Sequence, residues 1–383
     1  MPGADVNDLL NTVSDGGGLH DLILRRIGTQ LQQAIGSGAT FVTLWIGNND
    51  ALGAAVSGIV IDDVTLTTAA KFEARYRTAV GALRAAGIEL AIGTIPSVTA
   101  IPYVTTVPAV LVNPATNQPV MVGGNLVPLI GPDGPLVPGR DFVLLPATAQ
   151  LAQGFGIPVA LGGNGQPLSN SVVLSGAEAA TINARIGQFN QVIRAVATET
   201  GSALVDVNGI FGGIVTDGLE LGGVGYDAGF LTGGLFSYDG VHATPLGYAV
   251  IANEFIRQIN ATYGGEIPLV NLHDHVFGPT GSLGTRVGSG ASGAFVFTRE
   301  ADGQLRAALG IPDARTLEAM ADAGSDPAAC NADLGSRRFC RACGPCDVGE
   351  GHCRNNGDCQ QGLSCVRRAG EQFGFGRNVN VCM

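Results

Sequence analysis

The chain has one lysine, Lys71, in 383 residues. Phosphate-cradling lysine motifs and a basic nucleic-acid footprint are therefore not supported. Aromatic residues are only 6% and charged residues 14%, while 58 residues are glycine. With 45% hydrophobic residues, this is a folding chain built on small-residue packing and tight turns, not a disordered one. No membrane span is readable. The longest uncharged stretch, Leu90 to Pro132, is interrupted by Pro102, Pro108, Pro114, Pro119 and Pro128, too often for a spanning helix. The opening Met1-Pro2-Gly3-Ala4-Asp5 lacks the basic start and apolar core of a signal peptide.

Cysteine is absent before Cys330, and all eight follow: Cys330, Cys340, Cys343, Cys346, Cys353, Cys359, Cys365 and Cys382. Charge changes at the same place, from −13 over residues 1–329 to +2 over residues 330–383, for a net −11. We read residues 330–383 as a separate module with too few core-forming residues to fold without covalent staples. The even count favours four disulfides, with no connectivity assigned, and an oxidising compartment. The Cys340-x-x-Cys343-x-x-Cys346 spacing is the rival zinc or iron–sulfur reading; no metal or other cofactor is expected.

Upstream, the pattern alternates. Helical spacing runs over residues 19–36, with Leu19, Leu22, Ile23, Ile27 and Leu31 on one face, and again over 68–86 and 176–200. Short apolar strands are expected at 40–46, 88–92 and 203–207. Residues 209–234 read as a glycine-rich loop. Thr244 and Pro245 read as N-cap and first residue of a helix to Tyr263. This order predicts an α/β fold with a parallel sheet. Residues 97–175, punctuated by proline and glycine, form an insertion above the sheet's carboxyl edge. The division expected is a main domain over 1–270, an extension or linker over 271–329 and the Cys-rich module over 330–383.

Two polar clusters can carry chemistry. Gly47-Asn48-Asn49-Asp50 follows a buried strand, where open parallel sheets keep their sites, though these are also ordinary turn residues. Ser237-Tyr238-Asp239-Gly240-Val241-His242 precedes the capped helix. An Asp three residues before a His can reach Nδ1 and leave Nε2 as general base; a solvated loop is the plain alternative. His273-Asp274-His275 reads as surface residues on a strand rather than a metal site. His20 and His352 read as solvated.

Taken together, Gly-x-Asn-Asp after one strand and Asp-x-x-His before the last helix resemble the SGNH, or GDSL, ester hydrolases. Pro2-Gly3-Ala4-Asp5-Val6-Asn7-Asp8-Leu9-Leu10 is similar to that family's second block, and the resemblance covers residues 1 to about 263. It implies a three-layer, flavodoxin-like sheet fold and hydrolysis of a small-molecule or lipid ester. His242 is then the base, Asp239 its orienting carboxylate, Gly3 and Asn49 the oxyanion donors, and Gly47 and Asp50 supporting residues. Gly3, Asn49 and His242 are expected to meet in one cleft. The family's Gly-Asp-Ser nucleophile turn is not found anywhere in the chain, and neither Ser14, Ser97 nor Ser237 reads as a substitute. The expectation is the carboxyl-terminal part of a longer secreted or cell-surface hydrolase, its signal peptide and first strand lost with the missing amino terminus. As it stands, the chain should be inactive or nearly so. The alternative is a non-catalytic secreted binding protein that uses the cleft, with the Cys-rich module attaching it to a partner or surface.

Overall fold

A computed structural model describes residues 3–14, 16, 20–277, 296–324, 353–359, 364–369 and 379–382. The chain separates into two compact units, residues 1–311 and 312–383. The stretch 271–329, read as a linker, is thus shared between them. No helix among the described residues is long and apolar enough to cross a membrane.

The first unit begins with α1 (Val6–Asn11), α2 (His20–Leu24) and α3 (Gln30–Gly36). The single helix expected over 19–36 is broken. Arg25 and Arg26 adopt positive φ, and Thr29 starts α3 with a reciprocal capping box to Gln32. Leu22, Ile23 and Ile27 are consequently exposed rather than on a buried stripe. Next come β1 (Phe41–Leu44), α4 (Asn49–Ser57), α5 (Ala69–Ala85) and β2 (Glu89–Gly93).

The insertion contains the short helices α6 (Pro102–Thr105) and α7 (Ala147–Leu151). It also contains four two-residue antiparallel ladders. These pair β3 (Val112–Asn113) with β4 (Gln118–Pro119), and β5 (Met121–Val122) with β6 (Asn125–Leu126). They likewise pair β7 (Ile130–Gly131) with β8 (Gly134–Pro135), and β9 (Phe142–Val143) with β10 (Val173–Leu174). A small core of its own, centred on Leu129, Val143, Ala147 and Leu168, holds the insertion together.

After it come α8 (Gly176–Thr200), β11 (Ala203–Val205) and α9 (Val207–Asp217). A hairpin of β12 (Leu219–Leu221) and β13 (Val224–Tyr226) precedes α10 (Pro245–Tyr263). The glycine-rich loop expected over 209–234 is therefore helix up to Asp217 and a hairpin up to Tyr226, and remains a loop over 227–234. Val207, Phe211 and Ile214 are buried on one side of α9, and that packing overrides the poor helix propensity of Gly209, Gly212 and Gly213. His273 and His275 lie on a short helix, α11 (Leu272–Phe277), not on a strand.

The sheet is parallel, in the order β1-β2-β11, with Leu44 opposite Ile92 and Gly93 opposite Val205. α5 and α8 pack together on it, and α10 packs on β2 and β11, giving the three-layer α/β arrangement. The core runs through Phe72, Tyr76 and Phe189, whose rings stack at centroid distances of 4.0 and 5.3 Å, to Leu90 and Ile92 of β2. The last helix of the unit is α12 (Arg299–Ala308); Leu305 within it and Leu309 at its C-cap are buried, and Phe297 just before it sits edge-on to Tyr103.

In the second unit, α13 (Ala314–Gly324) is followed by an antiparallel pair, β14 (Cys365–Val366) with β15 (Val381–Cys382). Disulfides join Cys353 to Cys365 and Cys359 to Cys382. Cys330, Cys340, Cys343, Cys346 and His352 lie outside the described residues.

Candidate active site

The carboxyl ends of β1 and β2 position the first polar groups. The chain leaves β1 through Trp45 and Ile46 and turns at Gly47, where φ is +109°. A Cβ there would lie 2.7 Å from Ile95 Cδ1 and 2.8 Å from the Phe72 ring, so the turn excludes a side chain on conformation and on space. The turn delivers Asn49 and Asp50 as the first two residues of α4. Asn49 Nδ2 donates to the Ala4 carbonyl at 2.8 Å. Asp50 Oδ2 accepts the Val6 backbone N–H at 2.9 Å. Two consecutive side chains thus hold residues 4–6 against the helix start.

Asp50 is almost fully buried, and its Oδ1 has no hydrogen-bonding partner among the described residues. Burial, reinforced by the negative charge of Asp5, pushes its carboxyl up to about 7.

The loop after β2 is held by amides. Asn190 pairs with both the N–H and the carbonyl of Ile95, at 2.7 and 2.8 Å. Asn208 accepts the Ser97 N–H, and Asn183 accepts the Ser97 hydroxyl at 2.7 Å. None of these asparagines carries a local sequence signature; they lie 85 to 111 residues away from the groups they hold.

The third element is the loop before α10. His242 Nδ1 and Asp239 Oδ2 are 2.6 Å apart. Asp239 Oδ1 accepts three more hydrogen bonds, from Ser237 Oγ and the backbone N–H groups of Val241 and His242. Burial opposes ionisation of Asp239, but these four bonds outweigh it and hold the carboxyl well below the usual range. The bond to Asp239 in turn raises the His242 imidazole above its ordinary value, against the smaller opposing effect of burial. Thr244 caps α10 by accepting the Gly247 N–H, with Pro245 in the first turn, and Tyr103 N–H ties the loop down at the Gly240 carbonyl.

His242 and Asn49 border one cavity of about 190 Å³, walled largely by apolar side chains such as Trp45, Leu52, Ile101 and Phe211. Gly3 borders a neighbouring polar cavity of about 370 Å³ with Asp5, Asp50, Lys71 and Arg75. Asn49 borders both, so the cleft expected to gather Gly3, Asn49 and His242 is divided at Asn49. Ser97 borders the His242 cavity.

An Asp-bonded imidazole and an asparagine side chain thus border one largely apolar cavity. The sequence model of the GDSL-like Lipase/Acylhydrolase family matches residues 24–255, more than half of the chain. The chain belongs to this family. It is a hydrolase of the esterase/lipase class, and the matched span of this GDSL-like hydrolase holds Asn49, Asp239 and His242 while leaving Gly3 and α12 outside. Searches of curated proteins and of solved structures returned no match.

Among the described residues, one cluster has metal-ligand geometry, the sulfurs of Cys353, Cys359 and Cys382, and all three are joined in disulfides.

Proposed function

We propose that the chain is an extracytoplasmic carboxylester hydrolase of the Ser-His-Asp type that carries the base and an oxyanion donor but not the nucleophile. The carrying observation is the 2.6 Å Asp239–His242 contact beside a cavity that Asn49 also borders. Asp239 holds the Nδ1–H tautomer, so Nε2 accepts the proton of the attacking group. Asn49 donates to the oxygen that becomes negative in the tetrahedral intermediate; Gly3, the second donor by family resemblance, borders the neighbouring polar cavity and is left out of this step. The apolar wall receives the acyl group of a small-molecule or lipid ester.

Gly-Asp-Ser does not occur in the 383 residues. The Ser237 hydroxyl donates to Asp239 at 2.7 Å and the Ser97 hydroxyl to Asn183 at 2.7 Å, so neither offers its proton to His242. For the chain as it stands, water is the attacking group. His242 takes a proton from water as the oxygen adds to the carbonyl carbon. The intermediate collapses, and the departing alkoxide takes that proton back, leaving acid and alcohol.

The same commitment of Ser97 and Ser237 favours one second reading, a non-catalytic protein that binds esters or acyl groups in this cavity. The disulfides support maturation in an oxidising compartment, and the Cys-rich unit is the candidate for attachment to a surface. A serine-directed fluorophosphonate separates the cases. No label and slow, burst-free release of nitrophenol from an ester fit the proposal. Stoichiometric labelling of one serine with a burst would replace it by a complete acyl-enzyme mechanism. Ligand binding with no turnover would replace it by the binding reading.

A further inference from the structure

α12 lies beyond the family-matched span, yet one of its charged side chains, Arg306, is buried inside the first unit, with its partner Asp302 half-buried beside it. Arg306 is 4% exposed. Its Nε donates to Asp302 Oδ2 at 2.8 Å, and its Nη2 donates to the carbonyls of Val56 and Ser171 at 3.2 and 3.3 Å. The Tyr103 hydroxyl, with one proton to donate, lies 2.9 Å from Asp302 Oδ1 and 3.1 Å from the same Val56 carbonyl.

Val56 lies in the last turn of α4, where helix carbonyls have no partners within the helix and the dipole favours a cation. Arg306 and Tyr103 therefore clamp one end of the helix whose other end carries Asn49. The far end of α12 reaches the same amide by a second route. A Cβ on Gly3 would lie 2.7 Å from the Ala308 carbonyl oxygen and 2.8 Å from the Leu309 carbonyl carbon, so α12 is seated directly on the Gly3 backbone. The next residue, Ala4, holds Asn49 Nδ2. Both routes end at the donor amide that borders the His242 cavity.

We propose that α12 is a brace that fixes the orientation of the Asn49 side-chain amide, with Arg306 and Asp302 as positioning residues. The consequence for turnover rests on the ester-hydrolase reading above; the consequence for local order does not.

The test uses the full chain and the double variant Arg306→Met/Asp302→Leu, which removes buried Arg306 and its half-buried partner together so that neither is left as a lone charge. Amide hydrogen exchange is the first readout. Residues 3–9, including the Val6 N–H bound to Asp50, should exchange at least about tenfold faster, with β2 unchanged. Nitrophenyl acetate turnover is the second. The kcat should fall about tenfold at unchanged KM in the wild-type background, and not at all further in an Asn49→Ala background, because a brace acts only through the donor it sets. Equal acceleration of exchange in β2 and residues 3–9, or a loss of kcat that adds fully to Asn49→Ala, would reduce the pair to general stability and overturn the brace. So would unchanged exchange in residues 3–9. If Arg306→Met/Asp302→Leu fails to fold, Arg306→Lys, which keeps the charge but loses the fork to two carbonyls, is read by the same criteria. If the wild-type chain turns over no ester, the ester reading falls and the exchange comparison alone decides the brace.

Discussion

The side-chain amide of Asn49 donates to the backbone carbonyl of Ala4, 45 residues earlier, at 2.8 Å. One amide hydrogen is thereby committed to the fold, in a residue that also borders the His242 cavity. The Asp50–Val6 bond repeats the tether two residues on. Replacing Asn49 by Ala should lower kcat for ester hydrolysis by roughly 10²–10³-fold with little change in KM, since the lost bond forms fully only at the transition state. Steady-state kinetics on a nitrophenyl ester check this.

The pH dependence of turnover should follow His242. Its imidazole is held above the ordinary 6.5 by Asp239 and must be neutral to act as base. The acid limb of kcat/KM should therefore have its midpoint above pH 6.5, with activity rising as pH increases. In Asp239→Asn the partner charge is gone, so the midpoint moves to lower pH while the plateau falls by about 10²–10⁴-fold through loss of tautomer control. A pH–rate profile of both proteins is the measurement.

Stability should carry the signature of Asp50. Its carboxyl is raised from 3.8 to about 7 in the folded chain, chiefly by burial. Between those values the folded state binds the proton and the unfolded state does not, so this residue's contribution to stability is full below about pH 4 and declines as pH rises through 7. The decline is on the order of 4 kcal/mol. Asp50→Asn, which cannot ionise, should flatten that slope. Urea denaturation at pH 4.5 and 7.5 compares the two.

Gly47→Ala should destabilise the first unit by about 2 kcal/mol or more, because positive φ and two close side chains act together. Thermal unfolding measures it, and a loss below about 0.5 kcal/mol would show that the turn can relax.

Unreduced peptide mapping should recover Cys353 with Cys365 and Cys359 with Cys382. Recovery of any of these four as a free thiol would contradict the second unit as described.

What the sequence makes legible is local. Thr244 and Pro245 announce α10 because cap and first-turn chemistry act within a few residues. The spacing from Asp239 to His242 closes within one loop for the same reason. α8 is readable because Ile182, Ile186, Phe189 and Ile193 recur at helical intervals over a long element. The illegible parts depend on distance. Arg306 reaches a carbonyl 250 residues away, and its helix is otherwise polar enough to pass for an exposed linker. Tyr103 sits in an irregular insertion, yet joins the Gly240 carbonyl of the histidine loop to the clamp on α4. α9 carries three glycines, and only the buried stripe of Val207, Phe211 and Ile214 makes it a helix. The break between α2 and α3 depends on left-handed Arg25 and Arg26, residues without a turn signature.

The central claim is that His242 acts as the base of an ester hydrolase in this chain. The most direct measurement is the initial rate of nitrophenyl acetate hydrolysis by the purified full chain and by its His242→Ala variant, at equal folded concentration and at a pH on the plateau. The expected result is a slow rate clearly above buffer for the wild type and a rate equal to buffer for His242→Ala. Equal rates for the two proteins would contradict the claim.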